Sequence, residues 1–176
     1  MSPKPPQPPA GAAADPVPPG VTRRVGLGKH LPVIVQTEVT ECGLASLAMV
    51  ACYHGLDTDM PALRLRFAIS RKGTNFESMV RIAAALGLDS RPLKLDLHQL
   101  PELQLPCILH WDMNHFVVLV RADAKRITVL DPAVGERTLT LKEASPHFSG
   151  VALELAPTQG FEKKTEKTPF DLRVLF

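Results

Sequence analysis

Aromatic side chains are scarce in this chain, 5% with a single Trp and a single Tyr, too few rings to build a base-stacking platform. Charge of one sign is equally thin. The net charge is +2 and no Lys/Arg run exceeds two residues, so nothing supplies the basic stripe that nucleic acid needs, and no nucleic-acid partner is expected. Cysteine is limited to Cys42, Cys52 and Cys107, an odd number that cannot all pair and that contains no C-x-x-C clip. That usage suits a reducing compartment, with thiols that are either buried or catalytic. A zinc site built from Cys107, His110 and His115 would lack the short paired-ligand spacing of structural zinc, so neither a metal nor a cofactor is expected. Long apolar runs are missing as well. The most apolar stretch, 43–53, is too short for a bilayer, which takes roughly 20 residues. The N-terminus has no apolar segment of the kind a signal peptide requires, and a soluble cytoplasmic chain is expected.

What is present is enough apolar residue, 45% of 176, for one core of ordinary size with tails. Residues 1–20 hold eight of the 17 prolines and read as an extended, disordered leader; 21–30 are basic and glycine-containing, and the folded domain begins near Leu31. An extended apolar segment over 31–35 leads to Gln36. A helix follows over 42–54, with Leu44, Leu47, Ala48, Ala51 and Cys52 at helical spacing and Gly55 as its stop. It is apolar nearly all round and should be buried. A second helix over 60–67 has Asp59 as N-cap and Pro61 in its first turn. A third begins at a capping box of Thr74 with Glu77 and buries Met79, Ile82, Ala83 and Leu86 before Gly87.

After Gly87 the pattern turns to strands: 88–95, an edge strand because of Pro92, then 107–111, 115–121, 126–130, 136–141 and 151–155, with short helical turns over 97–103 and 142–148. Helices first and antiparallel strands afterwards define an α+β fold with an N-terminal helical lobe packed on an antiparallel sheet lobe. The expected organisation is a tail over 1–30, a domain over 31–157 and, over 158–176, a linker without enough residues for a packed element.

Cys42 is the residue that carries chemistry. At a helix start, the first-turn N–H groups and the helix dipole favour its thiolate. Gln36, six residues earlier, can donate hydrogen bonds into the same volume. Among the six histidines, His30, His54, His98 and His147 read as surface or capping residues, whereas His110 and His115 flank the 112–114 turn. A lone histidine opening the apolar strand H-F-V-V-L-V is ordinarily structural; beside Cys42 and Gln36 it reads as a base. Asp131 ends the next strand, so an antiparallel hairpin sets it beside His115, where a carboxylate can fix an imidazole's tautomer. The bland alternative is an Asp-Pro turn, and Asp112 is a rival orienter. Cys52 and Cys107 read as core thiols.

The segments Q-T-E-x-x-E-C-G-L-A-S-L-A-M, K-G-T, L-P-C-I-L-H-W-x-x-N-H-F-V-V-L and D-P-A-x-G resemble the bacteriocin-processing peptidase domain of ABC exporters, colicin V secretion type, from about Leu31 to Pro157. The resemblance implies a papain-like fold and a thiol endopeptidase that removes double-glycine leader peptides during export at the cytoplasmic side of the bacterial inner membrane. Its partners would be a bacteriocin-like precursor's leader and the exporter's transmembrane and ATPase domains. It also implies Cys42 as nucleophile, His115 as general base and acid, Asp131 as its orienter and Gln36 as oxyanion donor. Trp111, Met113 and Asn114 are the candidates for a narrow wall that admits only glycine. Two other readings stand beside this one: a non-catalytic domain that binds the cargo or leader, and another papain-like amide hydrolase such as a transglutaminase.

Overall fold

The computed structural model describes residues 23–24 and 29–169. Most of the expected tail over 1–30, and the end of the expected linker from 170 onward, lie outside these residues. Arg23–Arg24 (β1) and His30–Leu31 (β2) form a short antiparallel ribbon at the domain's entrance. The segment to Gln36 is otherwise irregular, and a 3-10 turn over Val39–Glu41 delivers the chain into helix α1, Cys42–His54.

Every residue of α1 from Cys42 to Ala51 is buried, so the helix runs through the middle of the protein. Burying Leu44, Leu47 and Met49 contributes roughly 1.5–3 kcal/mol each. Gly55 ends α1 at φ 115°, where only glycine is unstrained, and its N–H closes on the carbonyls of Ala51 and Cys52. Strand β3 (Leu56–Thr58) follows, then α2 (Met60–Arg66), capped by the Asp59 carboxylate accepting from the Ala62 N–H.

Helix α3 (Phe76–Ala85) starts one residue later than the expected capping box. The reciprocal pair is Asn75 with Ser78, not Thr74 with Glu77. The Thr74 hydroxyl is used elsewhere, donating to the Thr40 carbonyl in the turn before Cys42. Met79, Ile82, Ala83 and Leu86 are buried as their spacing requires.

The second half is a six-stranded antiparallel sheet of β4 (Leu88–Lys94), β5 (Cys107–Trp111), β6 (His115–Ala122), β7 (Arg126–Asp131), β8 (Gly135–Thr140) and β9 (Phe148–Pro157), in the order β4-β9-β5-β6-β7-β8. Pro92 sits on the edge strand, where its missing N–H is harmless. β9 is twice the expected length and slots between β4 and β5. Side chains alternate between two cores. Ile108, Phe116, Val118 and Leu130 meet the helices, while Leu109, Trp111, Val117 and Val129 meet the 3-10 turn Leu97–Glu102 and the short helix α4 (Leu141–Ala144).

The C-terminal stretch does form a packed element, against the expectation that it has too few residues for one. Lys164–Glu166 (β10) pairs in parallel with β3, the Thr58 hydroxyl donates to the Glu166 carbonyl, and Phe161 packs on the main core. Parallel pairing with a distant three-residue strand leaves no periodic trace in sequence. No helix among the described residues is long and apolar enough to cross a membrane.

Gly43 follows Cys42 because nothing larger fits. A Cβ there would lie 2.8 Å from Thr74 Cβ. Gly43→Ala is expected to lower the unfolding free energy by about 1–3 kcal/mol, measured by urea unfolding. An unchanged midpoint would mean that the Thr74 turn yields freely.

Candidate active site

Cys42 is the first residue of α1 and is 3% exposed. Because the helix behind it is buried on all sides, the thiol cannot drift. α1 packs on β6, and the Ser46 hydroxyl donates to the Phe116 carbonyl at 3.4 Å, pinning the helix one turn behind Cys42 to the residue next to His115.

Val118 pairs with Leu130 across β6 and β7, so the start of one strand lies beside the end of the other. This brings His115 Nε2 to 2.7 Å from Asp131 Oδ1. Cys42 is the other polar group that acts on the imidazole, and like Asp131 it favours the charged ring. Asp131 is held in turn: its Oδ1 accepts from the Ala133 N–H at 2.9 Å, and Arg137 Nη1 stands 3.6 Å from Oδ2. Gln36 joins the same corner of the molecule, its N–H donating to the Pro132 carbonyl at 2.9 Å. Its side-chain Oε1 is buried without a hydrogen-bond partner.

Burial pulls the His115 imidazole toward its neutral form, but the hydrogen bonds and charges of Asp131 and Cys42 outweigh it and raise its pKa to about 9. Burial likewise works against the Asp131 anion. His115, the Ala133 N–H and Arg137 overcome it and hold the carboxyl below the usual range.

The rival residues are otherwise engaged. His110 Nδ1 lies 2.8 Å from the Ser149 hydroxyl, its ring packs on Phe76 and Phe116, and burial lowers its pKa, so it stays neutral. Asp112 is taken by His147, at 2.6 Å. His54 corrects the surface reading: it is half-buried between Tyr53 and Phe161, and burial and then Lys29 push its pKa down, so it adds no cation to the end of α1.

The 112–114 turn is strained, with Asp112 at φ 48° and Met113 at φ 62°, left-handed values that non-glycine residues seldom adopt. Met113 and Asn114 are exposed on it. Trp111 does not fit the expected wall. It is fully buried in the second core and stacked 5.4 Å from His147, so it supports the turn from beneath and offers no surface to a peptide. Burial also raises the pKa of Cys52 and of Cys107, leaving both as inert thiols. Among the described residues no group of three His, Cys, Asp or Glu side chains is arranged to hold a metal ion.

Sequence reading missed Arg137 and Arg64. Arg137 reaches Asp131 only through the β7–β8 hairpin, and a basic residue on a polar strand carries no mark of that role. Arg64 touches the residue before Cys42 from 23 positions away, which no local pattern can show.

A helical lobe on an antiparallel sheet, with a helix-start thiol, an imidazole and a carboxylate in line at the junction, is the arrangement of papain-like cysteine peptidases. The chain belongs to the Peptidase C39 family, whose sequence profile matches residues 30–160. It is 44% identical over 147 residues to the probable microcin-H47 secretion/processing ATP-binding protein MchF of Escherichia coli, covering 84% of this chain and 21% of that protein. The colicin V secretion/processing ATP-binding protein CvaB of Escherichia coli matches with the same identity and coverage. The chain thus spans about a fifth of the length of these relatives. Among solved structures it is similar to a double glycine motif protease from an AMS/PCAT transporter in complex with the leader peptide, with TM-score 0.67 and 36% identity over 72% of this chain and 91% of that one. The peptidase domain of Streptococcus ComA, a bi-functional ABC transporter, gives TM-score 0.66 and 26% identity over 73% and 100%.

The raised His115 value has a testable sign. Its contribution to stability is full below its ordinary 6.5 and is lost as pH rises through about 9; that of Asp131 is full above 3.8 and is lost as pH falls through its depressed value. In an NMR titration His115 is expected to stay charged through neutrality, and Asp131→Asn should lower its midpoint by about one unit or more. Midpoints near 6.5 in both proteins would contradict the assignment.

Proposed function

We propose that this chain is the peptidase domain of an ABC exporter and cuts double-glycine leaders from bacteriocin-like precursors at the cytoplasmic face of the inner membrane. The observation that carries this reading is the His115 imidazole hydrogen-bonded to Asp131 at 2.7 Å and acted on by the Cys42 thiol at the junction of the two lobes. The names of the relatives and of the leader-bound neighbour supply the substrate class.

In this reading His115 takes the Cys42 proton, and the imidazolium is stabilised by Asp131 while the thiolate faces the N-terminal turn of α1. Sulfur attacks the carbonyl carbon of the second leader glycine. The oxyanion is held by the Cys42 backbone N–H and by the Gln36 carboxamide; a half-turn of that amide exchanges its buried Oε1 for the donor Nε2. His115 then gives its proton to the leaving amine, and water, deprotonated by His115, opens the thioester to release the leader as a carboxylate. Each oxyanion donor is worth roughly 3–4 kcal/mol.

Exposed apolar side chains sit close to each of these groups in the chain: Val39 before Cys42, Met113 before His115 and Val134 after Asp131. They suit a peptide with apolar side chains ahead of its glycines, and the Met113–Asn114 turn is the part of the expected wall that can face it. A domain that only bound cargo would have no use for a charged imidazole buried against a thiol.

A synthetic leader–cargo peptide should be cut after its second glycine, and Cys42→Ala should abolish the cut. Gln36→Ala should lower kcat by about 10²–10³-fold with KM changed little. Cleavage by Cys42→Ala at the rate of the unaltered chain would overturn the proposal.

A further inference from the structure

The two oxyanion donors of the proposed reaction, the Gln36 side chain and the Cys42 N–H, are joined by five residues with only one short 3-10 turn among them. One buried carboxylate organises this segment. Glu41 is 5% exposed, and its Oε2 accepts from the N–H groups of Thr37 and Glu38, both at 3.0 Å. From α2, Arg64 donates through Nε to Oε1 at 2.5 Å and through Nη2 to Oε2 at 2.9 Å, and it also reaches the Thr37 hydroxyl. A carboxylate taken out of water is tolerated only when its lone pairs are filled, and here four N–H donors fill them. Arg64 lowers the Glu41 pKa to about 2 against the opposing effect of burial, so the group stays charged throughout the working range. On the far side, the Thr74 hydroxyl holds the Thr40 carbonyl at 3.3 Å, and its side chain abuts Gly43.

These contacts fold the segment into a closed ring: a carboxylate one residue before Cys42 grips the backbone one residue after Gln36. Oxyanion donors act only when placed to within a few tenths of an ångström of where charge develops, and an irregular segment left open would let the two separate. We propose that Glu41 and Arg64 are positioning residues that fix Gln36 against Cys42 and so preform the oxyanion hole. This rests on the reading of Cys42 and Gln36 as the nucleophile and oxyanion donor of a peptidase. The clamp touches neither the reacting atoms nor His115. Its loss should therefore damage the step that makes an oxyanion and spare chemistry at Cys42 that makes none.

The test uses the full 176-residue chain with Arg64→Ala, Glu41→Gln and Arg64→Lys. For cleavage of a double-glycine leader peptide, Arg64→Ala and Glu41→Gln should each lose about 10–100-fold in kcat with KM within about threefold. Alkylation of Cys42 by iodoacetamide, a displacement at a saturated carbon with no oxyanion, should stay within about threefold of the unaltered chain. Arg64→Lys should recover only part of the lost rate, since an ammonium cannot bridge both carboxylate oxygens and Thr37 together. An unchanged kcat in Arg64→Ala would overturn the proposal; so would a parallel fall of kcat, alkylation rate and melting temperature, which marks a purely structural pair. Amide hydrogen exchange at Thr37 and Glu38 decides the clamp independently of turnover. Faster exchange at both in Arg64→Ala supports it and unchanged exchange overturns it, even if the unaltered chain cuts no leader and the reading of the reaction itself fails.

Discussion

The site depends on the burial of α1. A helix exposed on one face would tilt and slide as its neighbours breathe; this one is enclosed from Cys42 to Ala51 and is tied to β6 by Ser46. The hydrophobic effect, which has no direction of its own, is thereby converted into a fixed position for one sulfur atom. The small residues of α1, Gly43, Ala45, Ser46 and Ala48, let the sheet and the Thr74 turn approach closely enough for this to work. The helix holds the Cys42 thiol, the sheet holds the His115 imidazole, and their packing sets the distance between them.

Polar order is then added where the apolar packing ends. Asp131 is filled by His115, the Ala133 N–H and Arg137, and Glu41 by Arg64 and two backbone N–H groups. Both carboxylates are buried and both have depressed pKa values. One holds the His115 imidazole and favours its charged form, and the other shapes the segment before the thiol. The turn between Trp111 and His115 is built similarly. Its left-handed residues are held by the Asp112–His147 pair over the buried Trp111, so backbone strain beside His115 is borne by the second core.

Much of this was legible in the sequence because the chemistry coincides with local rules. Cys42 marks a helix start that the spacing of Leu44, Leu47 and Ala51 and the stop at Gly55 both define. His115 and Asp131 stand at strand ends, and the short 122–125 connection forces those ends together. What escaped is non-local or depends on side-chain choice. The insertion of β9 between β4 and β5, the parallel pairing of β10 with β3 and the reach of Arg64 to Glu41 all join residues that no short window contains. The Thr74–Glu77 box lost to Asn75–Ser78 because the Thr74 hydroxyl is committed to the Thr40 carbonyl. Trp111 looked like a wall because it lies near His115 in sequence. Strand alternation turns it into the second core instead.

The proposed reaction requires that His115, anchored by Asp131, primes Cys42 and neither of the other two thiols. Site-resolved alkylation of the chain by iodoacetamide at mildly acidic pH measures this most directly, with Cys52 and Cys107 as internal references. Cys42 is expected to react more than about tenfold faster than either, and His115→Ala to remove the difference. Cys42 reacting no faster than Cys52, or reacting just as fast without His115, would contradict it.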